Sequence, residues 1–143
     1  MLPSMLENKK VYLCSPMFGR TDLDVMQNAK SARQYCADYS EKYDCEAVAP
    51  QAWLSYLLDY DDPDERALTI WFCLKLLDLC DVLFVCGPLL GTDMMLLIDH
   101  AISHDIPVVA SGPMTRPVQE YLDQLRGKGG RNHAQHLSAD DLS

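Results

Sequence analysis

No run of apolar residues in this 143-residue chain approaches the length needed to span a bilayer. Residues 1–10, Met-Leu-Pro-Ser-Met-Leu-Glu-Asn-Lys-Lys, also lack the charged and then apolar regions of a secretory signal, so a cytoplasmic protein with no membrane partner is expected. Basic residues are scarce. Twelve Lys and Arg stand against 21 Asp and Glu, a formal net charge of −9. A phosphate backbone is bound mainly through clustered Lys and Arg, so nucleic acid is not an expected partner, and any phosphorylated ligand needs local positive charge. Cys-x-x-Cys pairs are absent. The six cysteines fall at 14, 36, 45, 73, 80 and 86, four of them inside apolar strand or helix patterns, and read as reduced core residues rather than a disulfide framework. No Cys/His cluster has ligand spacing, so neither a metal nor a cofactor is expected. His133 and His136 are spaced like helix neighbours but lie in a polar, solvated tail. Internal repeats are missing too, and the length suits one domain, taken here as residues 1–126, with a flexible tail over 127–143.

What is present centres on Asp81 to Val109. Val82 to Cys86 is a continuous apolar run short enough for a buried strand and is ended by Gly87-Pro88. Met94, Ile98, Ala101 and Ile102 then recur at helical spacing until Pro107, and Val108-Val109 begins another strand. Strand, crossover helix and strand make a right-handed parallel unit. Ligands of such sheets sit beyond the carboxyl ends of the strands, which draws attention to Gly87, Pro88, Gly91, Thr92 and Asp93.

Upstream, Lys10 to Cys14 reads as a first strand. Thr21 and Asp24 resemble a capping box, Asp24 reaching back to the amide of Thr21. Val25, Ala29, Ala32, Cys36, Tyr39 and Tyr43 form one apolar helical stripe. Glu46 to Pro50 is a short second strand, and Leu54 to Leu58 a brief helix. Asp62 followed by Pro63 marks a helix start. From Arg66 to Leu79 that helix is apolar nearly all round, more than one sheet can cover, which predicts a homo-oligomer. Ala110 to Met114 closes a fourth strand, and Pro117 to Arg126 is a final helix. The fold class is α/β, a flavodoxin- or Rossmann-like three-layer sandwich with a mainly parallel sheet of four to five strands.

The first strand runs into Ser15, Pro16, Met17, Phe18, Gly19 and Arg20, which have the ingredients of an anion cradle: close backbone approach at Gly19, a helix amino terminus and one fixed charge. The alternative is a plain strand-to-helix turn with a solvated Arg20. Tyr12, Phe18 and Trp53 are candidates to stack on a base or sugar, with core packing the alternative for each, and Phe18 and Trp53 come ahead of Tyr12 because they lie on loops. Thr92 is placed to cap the central helix or to donate to a ligand. Asp81 precedes the most buried strand, where a carboxylate needs partners, and its structural reading is a local cap or pair.

Three stretches, Val11-Tyr-Leu-Cys-Ser-Pro-Met-Phe-Gly19, Asp61-Asp-Pro-Asp-Glu-Arg66 and Cys80-Asp-Val-Leu-Phe-Val-Cys-Gly87 with Ala101-x-x-x-Asp-Ile-Pro-Val108, resemble the nucleoside 2-deoxyribosyltransferase superfamily, and most closely a family of small bacterial and phage domains of unknown function. The resemblance implies a flavodoxin-like fold. It also implies a first loop near sugar or phosphate, a supporting role for Asp81, and cleavage or exchange of the N-glycosidic bond of nucleosides or nucleoside 5′-phosphates by a glutamate nucleophile four residues before the helix alanine. Counting back from Ala101, that position is Leu97, which has no lone pair with which to attack an anomeric carbon. Asp81, Asp93 and Asp99 are the carboxylates available as substitutes. Asp93 reads as a first-turn acid favoured by the helix dipole and Asp99 as a solvent-facing charge. The sequence therefore favours a protein that binds a nucleotide or nucleotide-derived small molecule without turnover, as a sensor, sequestering protein or regulatory subunit. An N-glycosidase or deoxyribosyltransferase with a displaced carboxylate is the alternative, and an assembly subunit the second.

Overall fold

The computed structural model describes residues 5–54, 59 and 61–129. Four parallel strands, β1 (Lys10–Cys14), β2 (Glu46–Val48), β3 (Val82–Val85) and β4 (Val108–Ala110), form one sheet in the order β2-β1-β3-β4. β1 is aligned with β3 so that Val11, Tyr12, Leu13 and Cys14 face Val82, Leu83, Phe84 and Val85. The helices are α1 (Asp22–Tyr43), α2 (Pro63–Leu77), α3 (Thr92–Ser103) and α4 (Thr115–Gly129). The expected three-layer α/β sandwich is what forms.

Side-chain alternation along the strands sorts the core into two layers. Val11, Leu13, Val82, Phe84, Cys86 and Val109 pack on α1 through Ala32 and its tyrosines. Tyr12, Cys14, Leu83, Val85 and Val108 pack on the other side, against α2, α3 and α4. The division follows from chain direction. From β1 to β2 the chain moves one way along the sheet, from β2 to β3 and on to β4 it moves the other way, and right-handed crossovers then put α1 opposite the other helices. At the reversal the carboxyl ends of β1 and β3 are neighbours, which is the switch point where such sheets open a crevice.

Several boundaries differ from the sequence expectation. β2 stops at Val48, because Pro50 has no amide to extend a ladder and instead opens a 3-10 turn, Pro50–Ala52. The anticipated helix at Leu54 to Leu58 lies outside the described residues beyond Leu54 itself. β4 likewise ends at Ala110, and Gly112–Met114 is a 3-10 turn that leads into α4. α4 begins two residues before Pro117, which is tolerated in a first turn, and runs through Gly129, three residues into the segment expected as tail. His133 and His136 fall outside the described residues.

α2 is capped as anticipated, with Asp62 accepting from the Asp64 amide at 2.9 Å. It buries Thr69, Cys73 and Leu77 and leaves Leu68, Trp71 and Phe72 exposed on its outer side, with Leu79 just beyond its end. All six cysteines are free thiols, Cys14, Cys73, Cys80 and Cys86 fully buried; burial pushes the Cys86 thiol up to about 12. Among the described residues no helix is long and apolar enough to cross a membrane.

The layer under α1 rests on Phe84, whose ring meets Tyr39 edge-on at 4.9 Å and Tyr43 at 6.1 Å. Removing a fully buried aromatic forfeits both its burial and these contacts, so Phe84→Ala is expected to lower unfolding free energy by about 3–5 kcal/mol. Urea denaturation of the variant against the parent chain checks this.

Candidate functional site

The loop after β1 and the loop after β3 touch at the switch point. Gly87 has φ 111°, a conformation that side chains resist, and a Cβ there would stand 2.9 Å from Pro16 Cδ. Glycine is thus required both by backbone and by the approach of the first loop. Asp93, the second residue of α3, reaches across the gap: its Oδ2 accepts from the amides of Met17 at 2.8 Å and Phe18 at 3.2 Å. From the other side, Asn28 of α1 donates through Nδ2 to the carbonyls of Met17 and Phe18 at 3.3 and 3.2 Å. One carboxylate holds the loop's donors and one amide its acceptors.

Gly19 completes the turn by lying against Asp24, where a Cβ would come within 2.3 Å of Asp24 Cβ. Thr21 Oγ1 accepts from the Asp24 amide at 3.1 Å as anticipated, but Asp24 Oδ2 returns to the amide of Arg20 at 3.2 Å rather than to that of Thr21. Within the loop anticipated as an anion cradle, the amides of Met17, Phe18 and Arg20 are thus each bonded to a carboxylate of the chain itself. The Arg20 side chain is exposed at the rim.

Deeper in, Gln51 is only 4% exposed and donates through Nε2 to the Leu13 carbonyl at 2.8 Å and to Ser15 Oγ at 3.0 Å. This ties the end of β1 to the turn after β2. Phe18 is half-buried with the Arg66 guanidinium 5.0 Å from its ring centre, and Trp53, 61% exposed, lies 5.4 Å from that of Arg33. Arg33 also donates to the Ala52 carbonyl at 2.8 Å. Two aromatic faces backed by guanidinium groups therefore flank the carboxyl edge.

The structure brings together Ser15, Pro16, Met17, Phe18, Gly19, Gly87 and Asp93, with Arg20, Pro88 and Gly91 on the adjoining loops, Thr92 at the start of α3 and Trp53 beyond the end of β2. The helix cap is Gly91; Thr92 is the first helical residue and makes no capping bond. Asp81 is elsewhere. It precedes β3 and accepts from the Lys10 amide at 2.9 Å at the entrance of β1, the opposite edge of the sheet, roughly 20 Å of extended chain from Gly87. Asp99 lies about 9 Å further along α3 than Asp93; it is exposed, as expected, and accepts from the Tyr121 hydroxyl of α4 at 2.6 Å. Tyr12 is buried in the α2 layer with its hydroxyl hydrogen-bonded to the Cys73 thiol. Burial raises its phenol well above 10 and the Cys73 thiol to about 11, which fits a core pair rather than a stacking platform.

Asn28, Arg33 and Arg66 were not anticipated at the site. Asn28 had a signal, a polar residue three after Val25 at the edge of the apolar stripe, and Arg66 closes the Asp61-to-Arg66 motif. Arg33 had none. Leu97 is 7% exposed and packs in the sheet-facing core with Met94, Ile98 and Ala101.

Comparison with known proteins adds a family. Residues 9–111 match a family described as a domain of unknown function, DUF7768. The chain belongs to that family. No curated protein matches. Among solved structures the chain is similar to one from work characterising a 2-deoxyribosyltransferase of Bacillus psychrosaccharolyticus, with 17% identity, a TM-score of 0.49, and coverage of 71% of this chain and 70% of that one. A likeness this distant says nothing about the chemistry of the DUF7768 member.

Asp93 generates the test of this geometry. Truncation leaves the amides of Met17 and Phe18 without their charged acceptor, so Asp93→Ala is expected to cost roughly 1–3 kcal/mol in stability. Hydrogen exchange should accelerate at those two amides more than in the strands. Unchanged protection there would mean that the clasp does not hold the loop.

Proposed function

We propose that this protein binds a nucleoside- or nucleotide-like small molecule at the carboxyl edge, between the loop 15–20 and the start of α3, and returns it intact. The observation that carries the reading is the pairing of Leu97 with Asp93. The position that the sequence resemblance assigns to a nucleophile is apolar core, and the carboxylate one turn before it on α3 is engaged by two backbone amides. Phe18 and Trp53 offer faces for a base. The Asp93 carboxylate can accept from sugar hydroxyls, and Arg20 supplies a rim charge for a phosphate.

A second reading rests on the same carboxylate. Asp93 is oriented, half-exposed and placed at the switch point, so a ligand whose anomeric carbon reached it would meet a positioned nucleophile. Incubation with nucleosides and nucleoside 5′-monophosphates separates the readings. Binding should raise the melting temperature, by the equivalent of about 2.7 kcal/mol at one hundred times the dissociation constant, with no free base by chromatography over hours. Base release that disappears in Asp93→Asn would establish the enzyme. Arg20→Ala should weaken the monophosphate much more than the nucleoside; equal losses would remove Arg20 from the site.

We also propose that the outer face of α2 packs on a second copy of the chain. Leu68, Trp71, Phe72 and Leu79 give it apolar surface that its own sheet leaves uncovered. Light scattering should report a dimer or larger even assembly that Trp71→Glu dissociates, and a monomer at high concentration would refute it.

A further inference from the structure

At the far end of α3 a second cluster forms from residues that the candidate site does not use. α2 ends at its cap, Asp78, and α3 ends at its cap, His104, one turn after His100. One ligand atom from each of Asp78, His100 and His104 lies within 4.8 Å of the other two. His100 Nε2 is 2.6 Å from Asp78 Oδ1, and the two imidazole rings stack with centroids 3.9 Å apart and planes inclined by 21°. His104 Nδ1 is 2.9 Å from the His100 carbonyl oxygen and 3.1 Å from Ser103 Oγ. A carbonyl only accepts, so that contact requires the proton on Nδ1 and leaves Nε2 of His104 as the nitrogen with a lone pair to offer.

The geometry points to a zinc-class divalent cation held by Asp78, His100 and His104, clamping the carboxyl end of α2 to that of α3. Two imidazoles and one carboxylate are the donors that such ions take with three protein ligands and a fourth, open position. The backbone already supplies the outer contact that a metal-binding histidine usually has. The location also favours a cation, because two helix carboxyl ends bring the negative poles of their dipoles to the same place. Side-chain exposures of 17% for His100 and 32% for Asp78 leave the cluster reachable from solvent. Ligand bonds of about 2.0–2.1 Å in tetrahedral array separate donor atoms by roughly 3.3 Å, so an ion replacing the proton between His100 and Asp78 opens their contact by less than about 1 Å.

His100 lies about 10 Å along α3 from Asp93, so this site is separate from the candidate ligand site. Here the histidines are four apart on a helix and the carboxylate comes from the preceding helix.

The test is calorimetry with zinc chloride on the full chain carrying His133→Ala and His136→Ala, so that the C-terminal histidines do not contribute, together with absorption spectra of the cobalt(II) form. One ion per chain is expected, with cobalt bands of nitrogen and oxygen ligation and none from sulfur. The isosteric Asp78→Asn, and His104→Gln at an exposed position, should each weaken binding roughly tenfold or more while circular dichroism stays unchanged. Zinc should raise the melting temperature of the parent but not of these variants. No uptake, a sulfur-to-cobalt charge-transfer band, or equal affinity in the variants would overturn the assignment.

Discussion

A single carboxylate decides how the carboxyl edge of this sheet is built. The loop 15–20 turns away from β1 with its amides pointing into the crevice, and an unpaired amide there would cost free energy on burial. Asp93 Oδ2 satisfies two of them at once, from the first turn of a helix that starts after the neighbouring strand. The bonds join residues 75 and 76 apart in sequence and so fix the β1 loop relative to the start of α3. Gly87 can then sit under Pro16, Asn28 can take the loop carbonyls, and Phe18 can lie beneath Arg66.

The same helix explains why position 97 is leucine-like in character. Residues 93 and 97 are one turn apart on the same face, so the face that carries Asp93 at the edge of the sheet carries Leu97 over its interior. There Met94, Ile98 and Ala101 surround it. A carboxylate at 97 would need partners within an apolar layer, whereas one at 93 finds amides within hydrogen-bonding distance and the positive end of a helix. The chain keeps an acid near the switch point but spends it on architecture.

Much of this was legible in the residues. Apolar runs ended by Gly87-Pro88 and Pro107, with the stripes of α1 and α3, fixed the strand and helix order because burial imposes periodicity directly. Asp62 and Pro63 announced the start of α2 through capping chemistry that is local to a few residues. What escaped was contact across sequence. Asp93 carried a correct local reading, a first-turn acid, and nothing near it in the chain said that it also bonds to Met17 and Phe18. Asp81 follows its local reading: it lies at the entrance of β3 and pairs with the Lys10 amide, away from the edge where the resemblance gives it a supporting role. His100 and His104, four apart, drew no reading, and Asp78 joins them only once α2 and α3 are packed side by side.

The charge at the switch point constrains any ligand more sharply than the loop's composition does. An anion placed on the amides of Met17 and Phe18 would have to displace Asp93 or approach within a few ångströms of it, where two like charges repel by about 4 kcal/mol at 4 Å in surroundings of intermediate polarity. Hydroxyl groups face no such penalty, since a carboxylate with one oxygen engaged still has lone pairs to accept them. A nucleotide that used this edge would therefore turn its sugar towards Asp93 and its phosphate outwards to Arg20. With a formal charge of −9 over the whole chain, that guanidinium would have to supply the attraction locally.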